Sequence, residues 1–197
     1  MKHALFLSVA ALAIFQTSQA AVIQADRVVI TRTSNLDAVP AFHIAEVMVF
    51  EQGTATNIAA GFAGATATAS STGWGTSPSW AIDGNTDGNF GGNSTWHDTD
   101  GEAGDDPNQI DFLSVTFSGP KNVDSFQVWG RIDCCPLRDD GFNVDFFLGG
   151  NLVLSQPSGI TVGFDTGMTS INAVPEPGWF GLFAGALVFG ARRRRKA

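Results

Sequence analysis

Phe142-Asn143-Val144-Asp145-Phe146-Phe147-Leu148 places Phe142, Val144, Phe146 and Leu148 at every second position, with Asn143, Asp145 and Phe147 between them. Side chains of an extended chain alternate between two faces, so this period of two predicts a strand with one face in a core. Leu113-Ser114-Val115-Thr116-Phe117 repeats the pattern. Working outward, short runs of β-branched and aromatic residues predict further strands over Arg27 to Thr33, Phe42 to Phe50, Ser125 to Trp129 and Leu152 to Ser155, separated by Gly, Asn, Asp, Ser and Pro. Gly61 to Ser79, rich in Ala, Thr, Ser and Gly, reads as a long loop with short extended pieces. After the N-terminal segment, no run of ten or more residues before residue 174 has helical periodicity, which predicts an all-β, antiparallel β-sandwich.

The two ends of the 197-residue chain have a different character. Lys2, the apolar stretch Ala4 to Phe15 and the small-residue site Ser18-Gln19-Ala20 are the three parts of a secretory signal peptide, so residues 1–20 are expected to be removed and the chain exported. At the other end, Val174-Pro175-Glu176-Pro177 precedes the apolar run Gly178 to Ala191 and the block Arg192-Arg193-Arg194-Arg195-Lys196. The apolar run is short against the roughly 20 residues that a stable transmembrane helix needs. The basic block would hold its end on the cytoplasmic side. Residues 174–197 resemble the PEP-CTERM sorting signal of Gram-negative bacteria, with its Pro-Glu-Pro triplet, short hydrophobic helix and terminal arginine cluster. That resemblance implies recognition of Pro175, Glu176 and Pro177 by an exosortase. It also implies transient anchoring in the inner membrane through the C-terminal helix, then a destination at the cell surface or in the extracellular matrix.

Residues 21–173 are long enough for one domain with its own core. They carry five basic side chains (Arg27, Arg32, Lys121, Arg131 and Arg138) against eighteen acidic ones, a net charge of −13. Nucleic acid is excluded as a partner, because phosphate binding needs clustered Lys and Arg. A divalent cation or a neutral ligand such as a sugar suits this balance better.

Only two cysteines are present, and they are adjacent, in Arg131-Ile132-Asp133-Cys134-Cys135-Pro136-Leu137-Arg138. Export favours disulfides, and within one chain these two can pair only with each other. The resulting strained ring would close almost no loop and so add little stability through chain entropy. Two reduced buried thiols, an intermolecular bridge or a metal site are the alternatives, with zinc disfavoured for want of further Cys ligands. Arg131 and Arg138 bracket the pair. Their planar guanidinium groups suit paired hydroxyl oxygens, and the alternative is pairing with Asp133, Asp139 and Asp140 at the surface.

Arg131, Asp133, Cys134-Cys135 and Arg138, followed by Gly141-Phe142-Asn143-Val144, resemble the signature of the F-type lectin (fucolectin) family, whose fold is a discoidin-like, galactose-binding-like jelly roll. The upstream partner in that signature is matched by His97, in Ser94-Thr95-Trp96-His97-Asp98. The resemblance implies that His97, Arg131 and Arg138 hydrogen-bond a fucose-like sugar, that Cys134-Cys135 packs against it, and that Asp133 orients an arginine. It covers roughly residues 27 to 150. Thr99 to Gln109 lengthens the interval between His97 and Arg131, and Pro136-Leu137 replaces small or acidic residues, so the sugar itself is left open as fucose-like or an exopolysaccharide unit.

Ala81-Ile82-Asp83-Gly84-Asn85-Thr86-Asp87-Gly88 alternates oxygen donors with glycine, a pattern suited to calcium. An EF-hand is the rival reading, but no Glu closes the loop at the twelfth position from Asp83. A plain Asn/Asp/Gly turn is the other. The segment also has the form of the family's calcium loop. By that resemblance the ligands are the Asp83 side chain, the carbonyls of Trp80 and Asn85, and Ser94. The closing Glu, usually on the last strand, is matched instead by Glu46 in Phe42-His43-Ile44-Ala45-Glu46-Val47-Met48-Val49-Phe50, with the Ala45 carbonyl beside it. The order implies a circular permutation of the domain. Asp98, Asp100 and Glu102 are candidate carboxylates for glycoside chemistry, but they lie in an acidic loop without aromatic subsites, so the expected role is binding and not catalysis. A structural matrix protein of the same fold without a working sugar site is the alternative.

Overall fold

The computed structural model of the chain describes residues 22–33, 41–99, 110–134, 141–160 and 165–171. The expected signal peptide (1–20) and the expected sorting signal (174–197) lie outside the described residues. Among the described residues there are nine strands and no α-helix, and no helix is long and apolar enough to cross a membrane.

Strands β1 (Ile23–Arg32), β3 (Glu46–Glu51), β4 (Thr66–Ala69), β6 (Phe112–Trp129), β7 (Phe142–Leu148), β8 (Asn151–Ser158) and β9 (Thr169–Ser170) form one seven-stranded sheet. β2 (His43–Ile44) and β5 (Trp96–His97) form a second, two-stranded one. Every pairing is antiparallel. The first half of β6 lies between β1 and β4, with Val115 opposite both Val28 and Ala67. Its second half lies between β3 and β9, with Phe126 opposite Val49 and Thr169. A long strand that exchanges neighbours along its length is consistent with a β-sandwich.

Alternation decides which side chains fill the interior. Phe142, Val144 and Phe146 are buried while Asn143, Asp145 and Phe147 are half-buried. Leu113, Val115, Val28, Ile30, Val47, Val49, Phe126 and Val128 are all fully covered. The aromatic members meet off-parallel, Phe126 against Phe146 at 6.0 Å and Phe42 against Phe142 at 6.1 Å between ring centres. Each such side chain contributes about 1.5–3 kcal/mol by leaving water.

Two predicted boundaries move, each for a tertiary reason. Leu113 to Phe117 and Ser125 to Trp129, read as separate strands, are the two ends of β6. Ala25 pairs with Lys121 but Arg27 with Thr116, so the intervening Ser118-Gly119-Pro120 is absorbed as an irregularity in β6 and not as a turn. Proline is tolerated there because the ladder is already broken. Conversely, the single strand expected over Phe42 to Phe50 divides at Ala45, whose N–H donates to the Trp129 carbonyl at 2.7 Å. On one side of that point the chain pairs with β5, on the other with β6. The loop expected over Gly61 to Ser79 holds the short strand β4, which lies against Thr116 to Leu113.

Truncating Phe146 to Ala should cost about 3–5 kcal/mol as a core cavity, and Asn143→Ala on the same strand less than about 1 kcal/mol. Urea denaturation of both variants checks the assignment of the two faces of β7.

Candidate functional site

β5 is two residues long and is held by its neighbours. Trp96 is fully buried, meets Phe42 edge-to-face at 5.8 Å and donates its indole N–H to the Ser71 carbonyl at 3.2 Å. The His97 N–H donates to Thr76 Oγ1 at 3.1 Å, and the Gly73 N–H donates to the His97 carbonyl at 3.0 Å. Gly73 is required at this contact, because a Cβ there would collide with the Asp98 carbonyl oxygen. Residues 71–76 are thereby clamped onto β5.

His97 is 3% exposed. Nδ1 lies 2.7 Å from the Asp98 carbonyl oxygen, and since a carbonyl has no proton to give, Nδ1 is the donor. Three rings surround it: His43 at 4.3 Å, Trp74 at 5.7 Å and Phe90 at 5.8 Å. Asp98 is fully buried and accepts the Phe42 N–H at 2.7 Å, so it acts as a structural acceptor joining β5 to the chain before β2. Asp100 and Glu102 lie outside the described residues.

Phe90 joins His97 to the arginine. The Arg131 guanidinium carbon lies 4.4 Å from the centre of the Phe90 ring, over its face, where the ring's negative potential attracts a cation. Arg131 also donates to both oxygens of Asp133, Nε to Oδ1 at 2.6 Å and Nη2 to Oδ2 at 3.3 Å. The hydrogen bond from Arg131, helped by a backbone N–H from Phe90, holds the Asp133 carboxyl below the usual carboxylate range. Carboxylate and ring together fix the guanidinium plane. Cys134 follows and has no free thiol. Cys135 and Arg138 lie outside the described residues.

The loop from Asp83 to Asn89 is organised by its own side chains. A 3₁₀ turn over Pro78–Ile82, with Ser77 as its cap and Pro in the first turn, delivers the chain to Asp83. The Asn85 N–H then donates to Asp83 Oδ1 at 2.7 Å, the Asp87 N–H to Asn85 Oδ1 at 3.0 Å, and Asn89 Nδ2 to Asp87 Oδ1 at 2.6 Å. These successive Asx contacts explain why Asp and Asn recur at every second position. Buried Ser94 donates to the Asn89 carbonyl at 2.8 Å and closes the loop. Gly88 joins it to the arginine segment: the Ile132 N–H donates to its carbonyl at 3.0 Å, its φ is +65°, and a Cβ would lie 2.8 Å from the Gly130 carbonyl oxygen. Order in the loop is therefore passed to Arg131 through backbone contact.

Glu46, the first residue of β3, reaches the same loop. Its side chain is fully buried; Oε2 accepts the Gly84 N–H at 3.2 Å, and Oε1 is buried with no hydrogen-bond partner. Burial raises its pKa from 4.5 to about 8, with the negative charge of Asp83 adding to the rise and the Gly84 hydrogen bond opposing it. A buried carboxylate in this position is costly unless a cation joins it. Among the described residues no three His, Cys, Asp or Glu side chains gather as a metal cluster. The expected set holds only two such side chains, Glu46 and Asp83, its other members being Ser94 and the carbonyls of Ala45, Trp80 and Asn85. Those are all oxygen donors, the chemistry that a hard divalent cation takes. A cleft of about 510 Å³ opens beside Ile82 and Asp83, bordered by Phe62, Ala65, Thr66 and Ser79.

The structure thus brings Glu46 to the Asp83 loop, and brings His97 and Arg131 into contact with one aromatic ring, Phe90. Trp74, Phe90 and His43, which complete the cluster, were not singled out by sequence reasoning. Two signals were available: Trp74 stands between glycines in a loop of small residues, and Phe90 directly follows the Asp/Asn/Gly run. No family model matches the chain, and no curated protein or solved structure matches it.

A carboxyl that binds its proton more tightly folded than unfolded makes stability fall with rising pH. In EDTA the contribution of Glu46 should be complete below about pH 4.5 and decline toward pH 8, the window set by its raised pKa. Urea midpoints across that window should show the decline, and Glu46→Gln should flatten it. Parallel profiles for the two proteins would contradict the assignment.

Proposed function

We propose that this chain is an exported, calcium-supported carbohydrate-binding protein of the cell surface or extracellular matrix. In this reading the β-rich domain is a jelly-roll β-sandwich, a circularly permuted relative of the F-type lectins, and residues 174–197 are the exosortase-read tail. The observation that carries the reading is the Arg131 guanidinium, fixed by Asp133 and seated on Phe90. A sugar presents hydroxyls on its edge and C–H groups on its faces, so it is recognised by fixed planar donors beside apolar surface. Arg131 has five N–H donors, of which Asp133 takes two.

Arg138 supplies the second guanidinium in this reading, and a Cys134–Cys135 disulfide supplies further apolar surface. Calcium is held by Asp83, Glu46 and Ser94 with the carbonyls of Ala45, Trp80 and Asn85. The unpartnered Glu46 Oε1 supports this, because a dication there would satisfy it and neutralise the pair of carboxylates. The ion's contribution is to stiffen the loop on which Gly88 and the arginine segment rest. No catalytic role is proposed. One observation favours the alternative of a structural matrix protein: His97 is nearly covered and offers a ligand little surface.

A glycan array probed with and without calcium tests the reading. Binding to fucosylated or bacterial glycans is expected, with at least about tenfold loss for Arg131→Ala, for Arg138→Ala and in EDTA, as for removal of charge-assisted donors. A flat array, or binding indifferent to all three changes, refutes it.

A further inference from the structure

Trp74 combines three properties that rarely coincide. It is half exposed, at 50%, although large aromatic side chains are usually covered. Its φ is +56°, in the left-handed region, where a bulky side chain is an outlier that the surroundings must enforce. The surroundings do enforce it: on one side the Gly73 N–H binds the His97 carbonyl, and on the other Thr76 accepts the His97 N–H, so the residue is pinned at both flanks to β5. Pinned there, its ring meets His97 at 5.7 Å, and His97 in turn meets Phe90, on which Arg131 rests. The ladder runs Trp74, His97, Phe90, Arg131.

Core packing does not account for Trp74, since half of its surface faces water. Burial of His97 also does not require a strained residue, because His43 and Phe90 already contact that ring. What the clamp achieves is to hold an aromatic surface open to solvent, connected through His97 and Phe90 to a fixed guanidinium. We infer that Trp74 is a specificity-determining residue of the carbohydrate site, stacking on the apolar C–H face of the bound pyranose, with His97 beneath it as a positioning residue and not as the main sugar contact. The inference rests on the carbohydrate reading above. It assigns the ligand's apolar contact to a loop of small residues, and it explains how a site with a covered histidine still presents a recognition surface. Sugars with a continuous C–H face are selected over those whose hydroxyls project from both faces.

The test uses the full chain with calcium, titrated with L-fucose, D-galactose and D-mannose, following affinity and tryptophan fluorescence. Trp74→Ala should weaken the preferred sugar roughly three- to tenfold, the scale of one aromatic contact. Trp74→Phe should retain most of the affinity while losing the sugar-induced fluorescence change. Trp74→Gly, which suits the left-handed backbone, should unfold at an unchanged or higher temperature yet bind as weakly as Trp74→Ala, separating a role in recognition from one in folding. Unaltered affinity in Trp74→Ala, or an unaltered fluorescence response in Trp74→Phe, overturns this assignment and leaves the carbohydrate reading standing. If the unchanged chain binds none of the three sugars and gives a flat glycan array, both fall.

Discussion

The backbone ladder along β6 is the constraint from which the rest of the molecule follows. Its first half must satisfy β1 and β4 and its second half β3 and β9, while its buried positions, Leu113, Val115, Phe126 and Val128, keep facing the interior. Side chains on a strand repeat every two residues, so a slip of one position would turn each of these residues outward. The irregularity at residues 117–120 lets the two halves keep independent registers. The end of β6 then fixes the site. Trp129 pairs with Glu46, its carbonyl receives the Ala45 N–H, and two residues later the chain places Arg131 over Phe90.

The site depends on contacts too close for a side chain. Gly88 brings the Asp83 loop against Gly130 and Ile132, and Gly73 brings the Trp74 loop against Asp98. Both are backbone contacts, and both transmit position without a flexible link. The electrostatic design is complementary to this geometry. Glu46 is buried beside Asp83, so burial first and the like charge of Asp83 second disfavour its ionised form. Asp133 is the opposite case, a carboxylate stabilised by its arginine. One carboxyl is therefore raised by its burial beside a like charge, and the other is lowered by its arginine.

Much of the fold was legible because alternation is a local property. Phe142 to Leu148 reads as a strand from its own residues and is one, with Phe142, Val144 and Phe146 of the expected face buried and Leu148, at its end, half-buried. Ser118-Gly119-Pro120 misleads for the same reason: its composition is that of a turn, and only the pairing of β1 with β6 keeps it in a strand. At the site, Asp83, Asn85 and Asp87 were visible because their turn contacts are made within the loop itself. The position of Glu46 beside them was available only through resemblance, since 36 residues of sequence lie between it and Asp83. Trp74 and Phe90 carried weak local cues and gain meaning only from the ring of His97 that they share.

The sequence by itself determined the β-rich class, the faces of the individual strands, the acidic character of the domain and the turn chemistry of the loop from Asp83 to Asn89. Each of these rests on composition or on interactions spanning a few residues. The tertiary structure decided that β6 is one strand and that the Phe42 to Phe50 run is two. It also decided that His97 is covered, that Trp74 is exposed, and that Arg131 is seated on Phe90. These depend on partners distant in sequence, and whether a side chain is buried or exposed is fixed only when those partners have packed around it.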